Sequence, residues 1–124
     1  MKSRYELGIN KLSEVDGTGG TEVVESLNDI APDLGKYIIE FAFGDIYTRP
    51  SLDLKQRELV TLSTLAALGG CEKQLDVHIN GALNVGISKK EIIEVFIQCI
   101  PYIGFPKVLN AVSAAKDVFL SRDL

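Results

Sequence analysis

Apolar residues recur at intervals of three and four along most of the chain, which is the spacing of one face of an α-helix. In the segment Ser3–Val15 the stripe comprises Tyr5, Ile9, Leu12 and Val15. No segment shows the sustained alternation of apolar and polar residues that is typical of a half-buried strand. The pattern therefore predicts an all-α fold, a bundle of about seven helices.

Local signals predict where several helices begin. Thr21 is expected to cap the second helix after the break "DGTGG", and Pro32 to open the third at a first-turn position. Ser88 and Glu91 form the Ser-x-x-Glu pattern of a capping box, so another helix is predicted from Ser88. The last predicted helix has Pro106 near its first turn. Its apolar stripe comprises Val108, Leu109, Val112, Ala115 and Phe119.

The segment "SLDLKQRELVTLSTLAALGG" predicts a helix with little polar surface. Ser51 or Asp53 is expected to cap its start, and the glycine pair 69–70 to end it. Residues 59–68 are apolar nearly all round, which predicts burial on several sides. Arg57 and Glu58 stand at the opening of this run. They are expected either at the mouth of a pocket or in a solvated first turn. In the second case the Glu58 carboxylate would interact favourably with the positive, N-terminal end of the helix dipole.

Composition favours one compact domain over residues 1–124, because 46% of the 124 residues are hydrophobic and 24% are charged. The net charge is −4 without a basic cluster, so neither nucleic acid nor an anionic membrane is an expected partner; a small molecule is. No run reaches the ~18 apolar residues of a membrane span, and no signal peptide is evident. We expect a cytoplasmic protein.

The chain contains two cysteines, Cys71 and Cys99, and a single histidine, His78. Two thiols without a signal peptide do not predict a disulfide scaffold, and both are expected to be reduced. One histidine beside one cysteine falls short of the three or four ligands of a zinc site. We therefore expect no metal and no other cofactor.

His78 shares one line of its helix with Cys71 and Gln74, flanked by Leu75 and Ala82. This places the imidazole at the border of an apolar stripe. Partial burial there could bring its pKa near or below neutrality, as a proton donor or acceptor requires. The alternative is a histidine at the edge of the core that is bonded to a backbone carbonyl.

Two stretches, "RELVTLSTLAALGG" and "LDVHINGALNVGISKKEIIEVFIQCIPYIGFP", together resemble the carboxymuconolactone decarboxylase family over about residues 52–119. The matching signature joins an Arg-Glu-Leu helix, a Leu-x-x-His-x-x-x-Ala-Leu-x-x-Gly segment, a Glu-Ile-x-Glu segment and a Gly-x-Pro turn. The resemblance implies an all-α alkyl hydroperoxidase D-like fold, a homo-oligomer (trimer or hexamer) and a lyase. Its implied substrate is a small carboxylated lactone or a related carboxylate.

The resemblance also implies roles for individual residues. His78 would be the acid that protonates the product of decarboxylation, and Arg57 would bind a carboxylate. Glu58 would orient the imidazole or return a proton to it. The pocket would be shaped by four further residues, namely Gln74, Tyr102, Gly104 and Pro106.

Two other functions stay open at this point. The alkyl hydroperoxidase D branch uses a Cys-x-x-Cys-x-x-x-His motif, of which Cys71 and His78 are present while Gln74 replaces the second cysteine. A thiol-dependent peroxidase or disulfide reductase would therefore rely on Cys71, which could equally be a small residue packed at a helix start. The third possibility is a non-catalytic oligomeric binding module.

Overall fold

A computed structural model describes residues 1–124, which form helices and turns without strands. The seven α-helices are α1 Arg4–Asp16, α2 Thr18–Glu25, α3 Pro32–Tyr37, α4 Leu54–Leu68, α5 Glu72–Asn84, α6 Lys89–Ile103 and α7 Phe105–Ser121. A π-helical segment, Ile38–Ile46, continues directly from α3. The predicted all-α class and number of helices are confirmed. None of the helices combines the length and hydrophobicity needed to cross a membrane.

The chain is organised in two compact units, residues 1–54 (the N-terminal unit) and residues 55–124 (the C-terminal unit). The single domain expected over residues 1–124 stays a prediction, as does the cytoplasmic location. Each unit is described separately below.

In the N-terminal unit, α1 packs closely against the π-helical segment. Two glycines make this approach possible, because a Cβ atom on Gly8 would overlap the carbonyl oxygen of Ile39, and one on Gly44 would lie 2.7 Å from the carbonyl oxygen of Arg4. Four apolar side chains form the buried interior of this unit, namely Leu12, Val15, Ile39 and Phe43. Backbone contact thus replaces side-chain packing along part of this helix pair.

An ion pair joins the same two elements at the surface. Arg4 donates from Nε and Nη2 to the two carboxylate oxygens of Asp45, at 3.0 and 2.7 Å. This side-chain hydrogen bonding lowers the pKa of Asp45 below its ordinary value of 3.8, and it raises the pKa of Arg4. Two-pronged pairs of this kind fix orientation as well as distance.

The C-terminal unit is built from α4 to α7 around a continuous apolar core. Its most buried members include Leu62, Ile79, Ile92, Phe96, Ala111 and Val118. Helix α7 packs against both α5 and α6. Beyond the end of α7, Arg122 donates from Nη1 to Oδ1 of Asn80 at 2.9 Å and of Asn84 at 3.3 Å, which ties the end of α7 to α5.

The predicted capping box at the start of α6 is confirmed. Ser88 Oγ accepts from the Glu91 backbone N–H at 3.0 Å, and Glu91 Oε1 accepts from the Ser88 backbone N–H at 2.9 Å. The backbone hydrogen bond from Ser88 is the main reason why the pKa of Glu91 lies below its ordinary value of 4.5. Pro32 and Pro106 also occupy first-turn positions of their helices, as expected.

The predicted start of the second helix at Thr21 is wrong, because α2 begins at Thr18. Gly17 alone, with φ 58°, makes the turn after α1. The two glycines that follow are therefore helical rather than part of a longer break. The prediction of one regular α-helix after Pro32 is also wrong, because most of that stretch is π-helical.

The expected burial of α4 on several sides is wrong as well. Only Glu58, Leu62 and Ala66 are buried on this helix, and Val60 and Leu68 are exposed. The buried residues recur every four positions, so they form a single line along one face. In α7, Leu109 is exposed although it belongs to the predicted stripe. A run of apolar residues indicates which residues can be buried, but it does not show how many faces have neighbours.

Candidate functional site

Glu58 and His78 lie side by side in the C-terminal unit. His78 Nδ1 is 3.2 Å from Glu58 Oε2, although the two residues are 20 positions apart in the sequence. The Glu58 side chain is 0% exposed and the His78 side chain 19% exposed. The site therefore joins a fully buried carboxylate to an imidazole that retains access to solvent or to a bound molecule.

The helices that carry the pair explain this placement. Glu58 begins the buried line of α4 that continues through Leu62 and Ala66, so its carboxylate enters the core rather than the solvent. A solvated first turn, one of the two expectations for Glu58, is thus wrong. On α5, His78 precedes the buried Ile79 and stands at the border of the apolar face, as the spacing predicted. A buried carboxylate is costly unless it has a hydrogen-bonding or charged partner, and the imidazole supplies one.

This arrangement determines which nitrogen of His78 can do chemistry. With Glu58 ionised, Nδ1 carries a hydrogen and donates it to the carboxylate, which leaves Nε2 to exchange a proton with another molecule. A carboxylate in this position orients the ring and stabilises its protonated form. The pair can therefore act as a general acid or base at Nε2.

Arg57 is half-buried and occupies the position before Glu58 on α4. Consecutive helical residues point about 100° apart, so the guanidinium departs from the helix beside the buried line, not along it. Thr61 Oγ1 donates to the Arg57 carbonyl at 2.9 Å. The sequence alone does not indicate a role for Thr61, which lies three positions after Glu58 on the same side of α4. Carboxylate binding by Arg57 stays a prediction.

Cys71 is the N-cap residue of α5 and is half-buried, with Sγ 3.4 Å from the Gly69 carbonyl oxygen. Gln74, one turn further along, is exposed. Cys99 lies on α6, half-buried and packed against the core, and neither cysteine forms a disulfide. The structure thus places Cys71 at the predicted helix start, and its reactivity stays a prediction.

The turn between α6 and α7 consists of one residue, Gly104, with φ 86°. Tyr102 before it is 80% exposed, and Pro106 after it is also exposed. The turn was correctly located from the sequence. A role of these three residues, and of Gln74, in lining a pocket stays a prediction. No group of three or more His, Cys, Asp or Glu side chains is placed to hold a metal ion.

Comparison with known proteins agrees with the resemblance seen in the sequence. Residues 32–117 match the profile of the Carboxymuconolactone decarboxylase family, so the match begins earlier than the predicted residue 52. A protein from Acinetobacter baylyi described as 4-carboxymuconolactone decarboxylase is 35% identical over 119 residues, which cover 95% of this chain and 88% of that protein.

Two further relatives are similar over shorter stretches. A nitrosuccinic acid decarboxylase of Metarhizium robertsii is 36% identical over 74 residues, which cover 60% of this chain and 51% of that protein. An uncharacterized 15.0 kDa protein of Paracoccus denitrificans is 29% identical over 101 residues, 81% of this chain and 75% of that protein. The family match and the two relatives described as decarboxylases support a decarboxylase-like function. From its profile match and its similarity over nearly its whole length, the chain belongs to the carboxymuconolactone decarboxylase family.

Proposed function

We propose that this protein decarboxylates a small carboxylated lactone or a related carboxylate, and that His78 donates the proton that completes the reaction. The observation that carries the proposal is the hydrogen-bonded pair of Glu58 and His78, in which a fully buried carboxylate orients an imidazole whose side chain is 19% exposed. Two relatives described as decarboxylases support the class of reaction.

The chemistry of decarboxylation explains why such a pair is useful. When the bond between carbon and the carboxylate breaks, CO2 leaves and the bonding electron pair stays on the substrate. A conjugated lactone carbonyl, or a nitro group on the same carbon, can accept that pair as an enolate or nitronate. The Nε2–H of protonated His78 then transfers its proton to the carbon, and solvent returns a proton to the ring. The substrate itself accepts the electrons, so this sequence requires no added cofactor.

Glu58 and Arg57 have separate roles in this proposal. Glu58 is a positioning residue that acts through Nδ1 of His78, and its negative charge stabilises the ring while it carries two hydrogens. Arg57 binds a carboxylate of the substrate, since a guanidinium offers two parallel donors to a carboxylate. Gln74, Tyr102, Gly104 and Pro106 shape the pocket in this scheme.

The direct test is CO2 release by the purified protein from 4-carboxymuconolactone and, separately, from nitrosuccinate. With the substrate that is turned over, His78→Gln is expected to lower kcat by roughly 10²- to 10⁴-fold, the usual contribution of a general acid. Lys73→Gln, an exposed change on the same helix, serves as the control and should retain activity. Equal turnover by His78→Gln and the unchanged protein would remove the acid role.

The second candidate is a thiol-dependent peroxidase or disulfide reductase, favoured by the position of Cys71 at the N-cap of α5. Because Gln74 replaces the second cysteine of the motif, oxidised Cys71 would need a thiol from elsewhere to close the cycle. Peroxide consumption in the presence of a small dithiol tests this candidate. It requires that Cys71→Ser abolish consumption and that Cys99→Ser leave it intact.

We also propose that the protein assembles as a trimer or a hexamer. Large apolar side chains remain exposed on the isolated chain, including Tyr102, Phe105 and Leu109 around the start of α7. Several large exposed apolar side chains near one another in the sequence are typical of a contact between proteins.

A further inference from the structure

The N-terminal unit contains a hollow of about 480 Å³ between α1 and residues 47–54. We call it the N-terminal hollow and define it by six of its lining residues, Lys2, Leu7, Lys11, Tyr47, Arg49 and Leu52. Its volume falls within the ~300–1,000 Å³ of pockets that bind small molecules. Neither residue of the Glu58–His78 pair lines it.

Positive charge is concentrated at this hollow within an otherwise acidic unit. Residues 1–54 contain ten Asp or Glu residues and five Lys or Arg residues. Three of those five cations, Lys2, Lys11 and Arg49, line the hollow. The other two lie outside the hollow, where Arg4 binds Asp45 and Lys36 lies 3.9 Å from Glu40.

Two carboxylates share the lining and limit the net charge. Glu14 Oε2 accepts from Lys11 Nζ at 2.9 Å, which also fixes the position of that ammonium group. With Asp53 included, the lining carries three positive and two negative side chains. A ligand with one negative charge would therefore neutralise the net charge of the lining side chains, whereas a polyanion would leave an excess of negative charge.

The remaining walls offer apolar and aromatic surface. Leu7 and Leu52 are each 41% exposed, so both have side-chain area that a ligand could cover. The ring of Tyr47 stacks on Phe43 with ring centres 4.5 Å apart and planes inclined by 18°, which restrains its orientation. Apolar side chains that line a concavity favour a ligand with an apolar body, because its binding removes both surfaces from water.

From these observations we infer that the N-terminal hollow binds a small monocarboxylate with an apolar or aromatic body. The cations attract the carboxylate, and the leucines and Tyr47 contact the body of the ligand. This inference does not depend on the proposed decarboxylase activity. It concerns a site separate from His78, whose occupant would be an effector or a second organic acid.

Three probe compounds separate the two parts of this inference. Benzoate has both a carboxylate and an aromatic body, benzamide lacks the charge, and acetate lacks the body. Isothermal titration calorimetry of the full chain at low ionic strength is expected to show binding of benzoate, and at least tenfold weaker binding of benzamide and of acetate. Added salt should weaken benzoate binding, since the lining cations are near the surface. Equal binding of benzoate and benzamide would overturn the inference.

Variants locate the bound probe. Arg49→Gln and Lys2→Gln are each expected to weaken benzoate binding by roughly three- to tenfold, the range for a partly exposed charged contact. Lys36→Gln, which removes a cation of the same unit outside the hollow, should leave the affinity unchanged. Circular dichroism verifies that each variant is folded. Benzoate binding that is insensitive to Arg49→Gln and Lys2→Gln, or that is lost in His78→Gln, would refute the assignment to this hollow.

Discussion

Glu58 brings a carboxylate into the core of the C-terminal unit, where His78 Nδ1 is its partner at 3.2 Å. Removing an ion from water costs several kcal/mol, and only a well-placed partner offsets this cost. Stability alone would be served as well by an apolar side chain at this position. We therefore interpret the pair as the site of the proposed chemistry rather than as a stabilising contact.

Glu58→Gln tests this interpretation, because glutamine keeps the size of the side chain and removes its charge. We expect kcat to fall by on the order of 10²-fold, since the protonated ring loses its stabilising neighbour. The decline of kcat at high pH, where His78 loses the proton that it donates, should also move to a lower pH.

Glu94→Gln, an exposed change on α6, is the matched control for the loss of one negative charge. It should leave both the rate and the pH profile unchanged. A Glu58→Gln variant that loses activity without any change in its pH profile would contradict the positioning role and indicate a purely structural one.

Part of this site could be predicted from the sequence. The spacing around His78 correctly indicated the border of an apolar face, because helical period alone determines that relation. The contact with Glu58 could not be predicted from period, since it depends on how the glycine pair 69–70 redirects the chain from α4 to α5. Both glycines have positive φ angles, 71° and 68°, and hydrophobic periodicity does not indicate this backbone conformation. Only the family resemblance suggested that the two residues cooperate.

Among the helices, the contact between α1 and the π-helical segment is the tightest approach in the N-terminal unit. It depends on the absence of a side chain at Gly8, which lies against the backbone of Ile39. Backbone atoms cannot move aside as a flexible side chain can, so this position tolerates no added carbon without a shift of one helix.

Gly8→Ala is therefore expected to destabilise the protein by about 1–3 kcal/mol, the usual cost of overpacking. Gly19→Ala is the matched control, because it lies in α2 with nothing within 4 Å of the added Cβ. Alanine has the higher helix propensity, so that variant should be stabilised by up to about 1 kcal/mol. Urea unfolding measures both. A Gly8→Ala variant as stable as Gly19→Ala would show that the close contact is not required.

The capping box of α6 leads to a prediction about acid stability. Ser88→Ala should cost about 1 kcal/mol at neutral pH, as expected for loss of an N-cap side chain. Because the pKa of Glu91 is lowered in the folded state, its carboxylate stabilises the fold above its ordinary value of 4.5. This contribution is lost as the pH falls from 4.5 through the lowered folded pKa.

Melting temperatures of the unchanged protein and of Glu91→Gln, measured between pH 7 and pH 3, test this prediction. The advantage of the unchanged protein should be constant near neutrality and shrink below about pH 4.5. Glu94→Gln, outside the capping box on the same helix, should show no such convergence. A difference that grows on acidification would have the opposite sign and would contradict the assignment.

The helix starts at Pro32, Ser88 and Pro106 were predicted well, whereas the start of α2 and the irregular backbone were not. Pro32, Ser88 and Pro106 act through local bonding, so their effect is visible in a few residues of sequence. The π-helical segment has no comparable signature, because its apolar residues also satisfy an α-helical pattern. The turn between α1 and α2 shows a related problem. The sequence offers three glycines there, and only Gly17 forms the turn.

At the scale of the whole molecule, the exposed apolar side chains are the feature that the isolated chain leaves unexplained. Phe105 and Leu109 lie one turn apart on the same side of α7, and both are exposed. The sequence predicted burial of Leu109, and a contact with a second copy of the chain would fulfil that expectation in the assembly.

Light scattering coupled to size exclusion should accordingly give three or six times the 13.5 kDa of one chain. The double variant Phe105→Ser/Leu109→Ser is expected to give smaller species, because the apolar contact area is lost. Ser113→Ala, an exposed change further along α7, should keep the assembled mass. A monomeric mass for the unchanged protein at micromolar concentration would refute the proposed oligomer.

The turn between α6 and α7 is a single residue, Gly104, and this restricts insertions and deletions at that point of the chain. Inserting one residue there would change the position and rotation of all of α7 relative to α6, because no other turn residue is available to absorb the insertion. Val108, Ala111 and Ala115 would then leave the core together. Related sequences can differ in the side chains of either helix, but we expect no insertions or deletions at this turn. The longer connection at residues 26–31 is expected to tolerate them.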